Sequence, residues 1–277
     1  MSETDLSGRT ILMSGGSRGI GLAIAVAAAR QGANVAILAK TDEPDPRLPG
    51  TVHTAAAEIN EAGGTGLAIV GDVRDEESVK AAVQQTVDRF GGIDIVVNNA
   101  SAIALQPTES LPIKRFDLMT GIQLRGTYLL TSTALPHLRT ADNPHILSLS
   151  PPLNLNPKWL GAHPAYTLAK YGMTMLTLGW AAEYADVPVA ANCLWPETLI
   201  ATAAVQNLLG GDEAMAKART PEIVADAAME ILNKTAGECS GNAFIDVDVL
   251  REAGVTDLSK YGPTEGLERD IFLDEAE

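Results

Sequence analysis

The sequence predicts a single α/β domain, doubly wound, with a mostly parallel sheet and helices on both faces. Three observations predict it. Short apolar runs alternate with helical stretches along most of the chain, a glycine-rich turn joins the first run to the first helix, and no linker or shift in composition divides the 277 residues.

Arg9 to Ser14 reads as the first strand, Gly15-Gly-Ser-Arg-Gly-Ile-Gly21 as a tight turn, and the Ala-rich stretch Leu22 to Arg30 as the first helix. Gly32 suits that helix's C-terminus, and Ala33 to Ala39 is the next strand, closing a βαβ unit. The rhythm then repeats. A helix from about Thr51 to Ala62 stops at Gly63-Gly64, strand Gly66 to Val70 follows, helix Glu76 to Phe90 stops at Gly91-Gly92, and Ile93 to Val97 is a buried strand.

A helical stretch around Arg115 to Leu138, strand His145 to Leu149, a helix from about Pro164 to Tyr184 and strand Val187 to Leu194 come next. Helix Pro221 to Leu232, with Thr220 as its cap and Pro221 at its first position, leads to a last strand, Asn242 to Val247. Two stretches break the rhythm: Thr41 to Gly50, rich in proline and aspartate, and an acidic tail from about Leu250 without strong periodicity. The expectation is one domain over 1–277, with a core at about 9–249 and an acidic C-terminal extension at 250–277.

Composition excludes several classes. Hydrophobic residues make up 46% and charged residues 20%, and no apolar run approaches the roughly 18 residues of a membrane helix. The N-terminus lacks the basic segment and apolar core of a secretory signal, and Asp274-Glu-Ala-Glu277 is not a peroxisomal ending, so a cytoplasmic protein without a membrane partner is expected. A net charge of −15 repels phosphate backbones and argues against nucleic-acid binding. Cys193 and Cys239 lack metal-ligand spacing and read as buried thiols, and His53, His137, His145 and His163 are scattered, so no metal site is expected.

Glycines at 15, 19 and 21 stand between a strand and a helix, where absent side chains let the backbone approach a pyrophosphate and the helix N-terminus supplies amides. The loop Gly15, Ser17, Arg18, Gly19, Ile20 and Gly21 is the candidate phosphate cradle. At the end of the second strand, where an acid would hold the ribose hydroxyls of NAD, stands Lys40, with Arg18 already in the loop. A 2′-phosphate pairs with both cations, so NADP(H) is favoured; the nearby Asp42 and Glu43 leave NAD(H) open. The alternative is that both cations are solvated surface charges.

With Asp72-Val73 after the third strand, Asn98-Asn-Ala100 after the fourth and Tyr166-Thr-Leu-Ala-Lys170 on a later helix, the chain resembles the short-chain dehydrogenase/reductase family over almost its whole length. Lys40-Thr-Asp-Glu-Pro, Pro49-Gly-Thr-Val-His-Thr-Ala-Ala, Asn98-Asn-Ala-Ser-Ala-Ile and Ser150-Pro-Pro-Leu-Asn-Leu-Asn-Pro157 narrow the resemblance to a hydroxysteroid dehydrogenase-like branch. The resemblance implies a Rossmann-type fold in which Asp72 bonds the adenine edge, Asn98 and Ala100 shape the ribose floor, and Val73, Pro196 and Leu199 also contact the cofactor. It implies that Tyr166 and Lys170 are catalytic. It also implies a homodimer or homotetramer, paired through the helices near 115–138 and 164–184.

Free tyrosine and lysine have pKa values of about 10 and about 10.4, so neither is an obvious acid-base catalyst at neutral pH. Four residues apart on one helix they share a face, and the ammonium is expected to stabilise phenolate and lower the Tyr166 pKa. Tyr166 then gives a proton to a carbonyl oxygen as hydride arrives at carbon, and oxidation runs in reverse.

The chain departs from the family pattern at three places. Pro151 occupies the position of the usual carbonyl-polarising serine, leaving Ser150 as first candidate, since Ser148 points to the other side of the sheet. Gln123 stands where relatives carry an asparagine that maintains a relay water. Trp195-Pro-Glu-Thr198 replaces the usual Pro-Gly, with Trp195 either core or pocket wall, and Leu199, Leu208, Leu209 and Met215 in or near the lid region suit an apolar substrate or simple packing. Two functions follow: an oxidoreductase acting on an apolar small-molecule alcohol or carbonyl, or an NADP(H)-binding protein with weak or no turnover that serves as a redox sensor or assembly partner.

Overall fold

The computed structural model describes residues 5–45, 49–208 and 210–274. Seven strands form one parallel sheet in the order β3-β2-β1-β4-β5-β6-β7: β1 (Thr10–Ser14), β2 (Asn34–Ala39), β3 (Thr65–Val70), β4 (Ile95–Asn98), β5 (His145–Leu149), β6 (Ala190–Trp195) and β7 (Ala243–Ile245). The order reverses between β1 and β4, and a crevice opens beyond the carboxyl ends of strands at such a point. Ser14 pairs with Leu38 on one side and Asn98 on the other, so β1, β2 and β4 end at one level, beneath that crevice.

Each face of the sheet carries its own core. Ile11, Met13, Val35 and Ile37 point to the side of α1 (Gly19–Arg30), α2 (Val52–Glu61) and α10 (Glu222–Leu232), whereas Leu12, Ala36, Leu38 and Val96 point to α3 (Glu76–Phe90), α5 (Thr127–Leu138) and α7 (Pro164–Glu183). Successive strand residues facing opposite sides account for the split, and burial on both faces explains why these strands are apolar throughout. Polar residues fix the helix ends. Thr51 and Thr54 form a reciprocal capping box at α2, and Asp75 accepts from the Ser78 amide at 2.7 Å to start α3, which stops at Gly91 with φ 90°.

The helix expected over 115–138 starts earlier and is interrupted. It runs as α4 (Ile113–Met119), a π-helical turn over Thr120–Gly126, and α5. Gly126 lies against Val73, where a Cβ would come within 3.0 Å of a methyl group, so the turn brings this helix close to the loop after β3. The last strand is shorter than expected, because Asp246 already opens α11 (Asp246–Glu252), its carboxylate accepting from the Val247 and Glu197 amides. The helix before that strand, α10, starts one residue later than expected, with Pro221 as the capping residue.

The aperiodic tail is the largest addition to the expected picture. After α11 and a short 3-10 turn (Ser259–Tyr261), the chain returns to the carboxyl edge of the sheet. Arg269 bridges Thr198, the Leu199 amide donates to Glu268 O at 2.9 Å, and the Asp270 amide donates to Glu197 O at 3.0 Å. Phe272 then plugs a cluster of Tyr166, Tyr171, Trp159 and Trp195, with ring centroids 5.1 to 6.2 Å away. No periodicity announces it, because backbone hydrogen bonds and one aromatic side chain make the attachment.

Candidate active site

A cavity of about 1020 Å³ lies beyond the carboxyl ends of β1, β4, β5 and β6. Its floor on one side is the glycine loop. Gly15 has φ 74°, and a Cβ there would stand 2.7 Å from Ala100 Cα, so a side chain would push apart the loops after β1 and β4. Gly19 has φ 57° and opens α1, whose preceding residue, Arg18, makes no side-chain cap. The first amides of α1 therefore face the cavity uncapped, as an anion site requires. Ser17, Ile20 and Gly21 complete this wall.

Asn99 holds the two loops together. Its amide nitrogen donates to Gly15 O at 2.8 Å, and it lines the cavity beside Ala100. Asn98 does not line it: the side chain is buried behind the wall and donates to Thr131 Oγ1 at 3.0 Å, so it ties β4 to α5. The side chain that shapes the floor is therefore the second asparagine of the pair, a distinction the motif alone does not make.

Both cations expected at a 2′-phosphate line the cavity, and both have partners. Arg18 donates to Pro49 O, Gly50 O and Thr41 Oγ1 at 2.8 to 3.1 Å and lies near the Asp45 carboxylate; it therefore pins the aspartate-rich loop beside the glycine loop, in which residues 46–48 lie outside those described. Lys40 pairs with Asp72 at 3.2 Å. Asp72 is further gripped by Arg74 at 2.6 Å, and these cations hold its carboxyl well below the usual range. Val73 lines the same wall.

The other half of the cavity carries Tyr166 and Lys170, brought to one wall by their spacing on α7. Lys170 Nζ donates to Leu149 O at 2.8 Å and lies 5.1 Å above the Trp195 ring, and burial pushes its pKa down to about 8. Tyr166 behaves opposite to expectation: burial, with the negative charge of Asp270, drives its pKa above the ordinary value, and only a hydrogen bond with Ser101 opposes this. The phenol is thus held protonated.

Two expected members of the site do not reach the cavity. Ser150 is fully enclosed, its hydroxyl without a hydrogen bond and close to the Cys193 thiol. Gln123 is buried in the π-helical turn, where its amide nitrogen, suitably oriented, donates to Ala102 O at 3.0 Å and Met119 O at 3.2 Å. Cys193 and Cys239 are free thiols inside the fold, and no cluster of metal-ligating side chains occurs among the described residues.

Two residues that the motifs did not single out do line the cavity. Ser101 follows the Asn-Asn-Ala triplet and carries an exposed hydroxyl next to Tyr166. Asp270 arrives from the tail. Trp195 combines both of its expected roles, lining the cavity while its Nε1 donates to Ile271 O at 3.2 Å. Pro196, Leu199 and Leu208 line it too; Met215 instead packs against Leu199, Val205, Ala214 and Ala218, and Leu209 lies outside the described residues. No helix among the described residues is long and apolar enough to cross a membrane.

Known proteins resemble the chain over nearly its whole length. A family model described as short chain dehydrogenase matches residues 9–212. Hydroxysteroid dehydrogenase-like protein 2 of Danio rerio is 54% identical over 271 residues, and its Homo sapiens counterpart 48% over 272. These alignments cover 97% and 98% of this chain but only 65% and 64% of those relatives. Among solved structures, a short chain dehydrogenase from Mycobacterium thermoresistibile is 58% identical with a TM-score of 0.92, covering 98% of this chain and 96% of that one. A Xanthomonas campestris protein described as a dehydrogenase is 55% identical with a TM-score of 0.94, covering 98% and 100%.

Proposed function

Because the chain belongs to the short-chain dehydrogenase family, we propose that it is an NADP(H)-dependent oxidoreductase interconverting an alcohol and a carbonyl on an apolar small molecule. The observation that carries this reading is the placement of Tyr166 and Lys170 on the wall of a cavity whose other wall is the uncapped glycine loop. The fit to a nicotinamide dinucleotide rests on that loop, where neither Gly15 nor Gly19 tolerates a side chain without strain. Bound there, the dinucleotide supplies or accepts the hydride.

The chain's own residues do the rest. Tyr166, held as a phenol, donates a proton to the substrate oxygen in the reductive direction, and Lys170 presents an ammonium beside it. With Ser150 enclosed, Ser101 is the hydroxyl placed to polarise the carbonyl, since it lines the cavity with Tyr166. Ile103, Leu105, Leu199 and Ile271 give the substrate half an apolar wall, which favours an apolar substrate.

Preference for NADP(H) over NAD(H) rests on Arg18 and Lys40 on the cofactor wall. A 2′-phosphate must compete with Thr41, Pro49 and Gly50 for Arg18 and with Asp72 for Lys40. Pairing into a homodimer or homotetramer is supported by Tyr128, Leu168 and Met175, large apolar side chains exposed on α5 and α7. Sedimentation tests it.

A second reading is favoured by the enclosure of Ser150 and the internal bonding of Gln123: a cofactor-binding protein with weak or no turnover, acting as a redox sensor or assembly partner. A screen of NADPH oxidation against aldehydes, ketones, quinones and keto-steroids separates the two. Turnover of an apolar carbonyl supports the oxidoreductase; tight NADPH binding without turnover across the panel supports the second reading.

A further inference from the structure

Among the described residues four lysines lie over aromatic rings: Lys158 over Trp159, Lys234 over Phe244, Lys260 over Tyr261 and Lys170 over Trp195. The first three are exposed, so water solvates the ammonium whether or not a ring is beside it. Lys170 is buried, with Nζ 5.1 Å from the Trp195 ring centroid. A ring face attracts a cation most strongly where water is excluded, and an indole does so best.

The contact is built from both sides. Side chains alternate along β6, so Leu194 enters the core on the α1 and α10 side while Trp195 packs with Tyr166, Ala169 and Tyr171 of α7. Leu149 pairs with Leu194 in the sheet, and Leu149 O accepts from Lys170 Nζ at 2.8 Å, so the adjacent strand aims the amine. The C-terminal segment fixes the ring: Ile271 O accepts from Trp195 Nε1 at 3.2 Å, and the Phe272 ring packs against it at 56° with centroids 6.0 Å apart.

We propose that Trp195 is a positioning residue of the reaction: its indole face holds the Lys170 ammonium in place beside Tyr166 and favours the charged form of the amine. The inference rests on the reading of Tyr166 and Lys170 as the acid-base pair. Leu149 O can accept from either form of the amine, whereas the ring face attracts the cation. Burial pushes the Lys170 pKa down to about 8, so a modest attraction decides which form prevails near neutral pH. Titratable groups face the amine from three elements: Tyr166 on α7, Cys193 on β6 and Asp270 on the tail. Burial keeps the phenol and the thiol protonated and raises the Asp270 carboxyl to about 7. Trp195 differs from all three in that it does not titrate, so its attraction is present at every pH.

Isotope-edited NMR of the lysine side chains tests this on the full chain without substrate, with Lys170→Met used to assign the resonances. In the wild-type protein the Lys170 ε-methylene protons should lie upfield of those of lysines that face no ring, an observation that needs no substitution of Trp195. The Lys170 midpoint should fall by about one unit in Trp195→Leu, which removes the ring face and keeps an apolar side chain, and by less in Trp195→Phe. Unshifted ε-methylene protons in the wild type, an unchanged midpoint in folded Trp195→Leu, or equal falls in the two variants overturn the proposal. Because no turnover is read, this result stays separate from Tyr166→Phe, whose failure to lower activity would remove the acid-base reading itself and with it the role proposed for Trp195.

Discussion

The two halves of the cavity are built in different ways. The cofactor half is assembled from segments close to the sheet's own strand ends: the glycine loop after β1, Lys40 after β2, Asp72 after β3 and Asn99-Ala100 after β4. The substrate half is assembled from pieces far apart in sequence, with Tyr166 and Lys170 on α7, Trp195 at the end of β6 and the tail from Glu268 to Phe272. Backbone geometry holds the first. One aromatic plug and the hydrogen bonds of the tail hold the second. Cofactor binding and turnover should therefore be separable by substitution.

The largest separation is expected from Tyr166→Phe, which should lower turnover by about 10²–10⁴-fold through loss of the proton donor. Cofactor affinity, read by fluorescence titration with NADPH, should hold within the same variant. Phe272→Ala removes the plug shared by four aromatic rings and should cost about 3–5 kcal/mol of unfolding free energy in denaturant melts. If that variant loses NADPH affinity as severely as activity, the two halves are not independent and the comparison breaks.

Smaller effects sharpen the boundary. Ser101→Ala should lower turnover by about 10²-fold if its hydroxyl polarises the carbonyl, whereas Ser150→Ala should leave it near the wild-type value. Arg18→Ala with Lys40→Ala should reduce the NADP-to-NAD efficiency ratio by about tenfold, measured with both cofactors and one substrate; an unchanged ratio removes the preference. The gentlest test is pH. Asp270 has its folded pKa raised to about 7, so the folded state binds the extra proton between about pH 4 and pH 7 and loses stability as pH rises through that window. Asp270→Asn should abolish this component, and the difference in melting temperature between the two proteins should widen from pH 4 to pH 7.

The contrast also explains what the sequence discloses. β5, α3 and the strand-glycine-helix start were legible because apolar runs and capping residues act over a few neighbours: Asp75 and Gly91 mark both ends of α3. The loops at the strand ends that line the cavity were legible for the same reason, since each carries a short local motif. The π-helical turn at Thr120–Gly126 was not, because backbone bonding there changes without a change in apolar pattern. Tail attachment was not, because its partners lie tens of residues away and Phe272 has no periodic companion. Asn98, Ser150 and Gln123 show the limit of motifs at the site. A motif locates a loop, but which of two adjacent side chains faces the cavity depends on where the strand ends.

The return of the tail has a consequence for the order of events during synthesis. A nascent chain can complete the glycine loop, its strands and even α7 while the segment bearing Asp270 and Phe272 is still unmade. About a hundred residues separate Lys170 from Phe272, which at typical elongation rates of about 5–20 residues per second is roughly 5 to 20 s. During that interval the glycine loop and α7 precede Asp270 and Phe272, which arrive later to close the wall beside Tyr166.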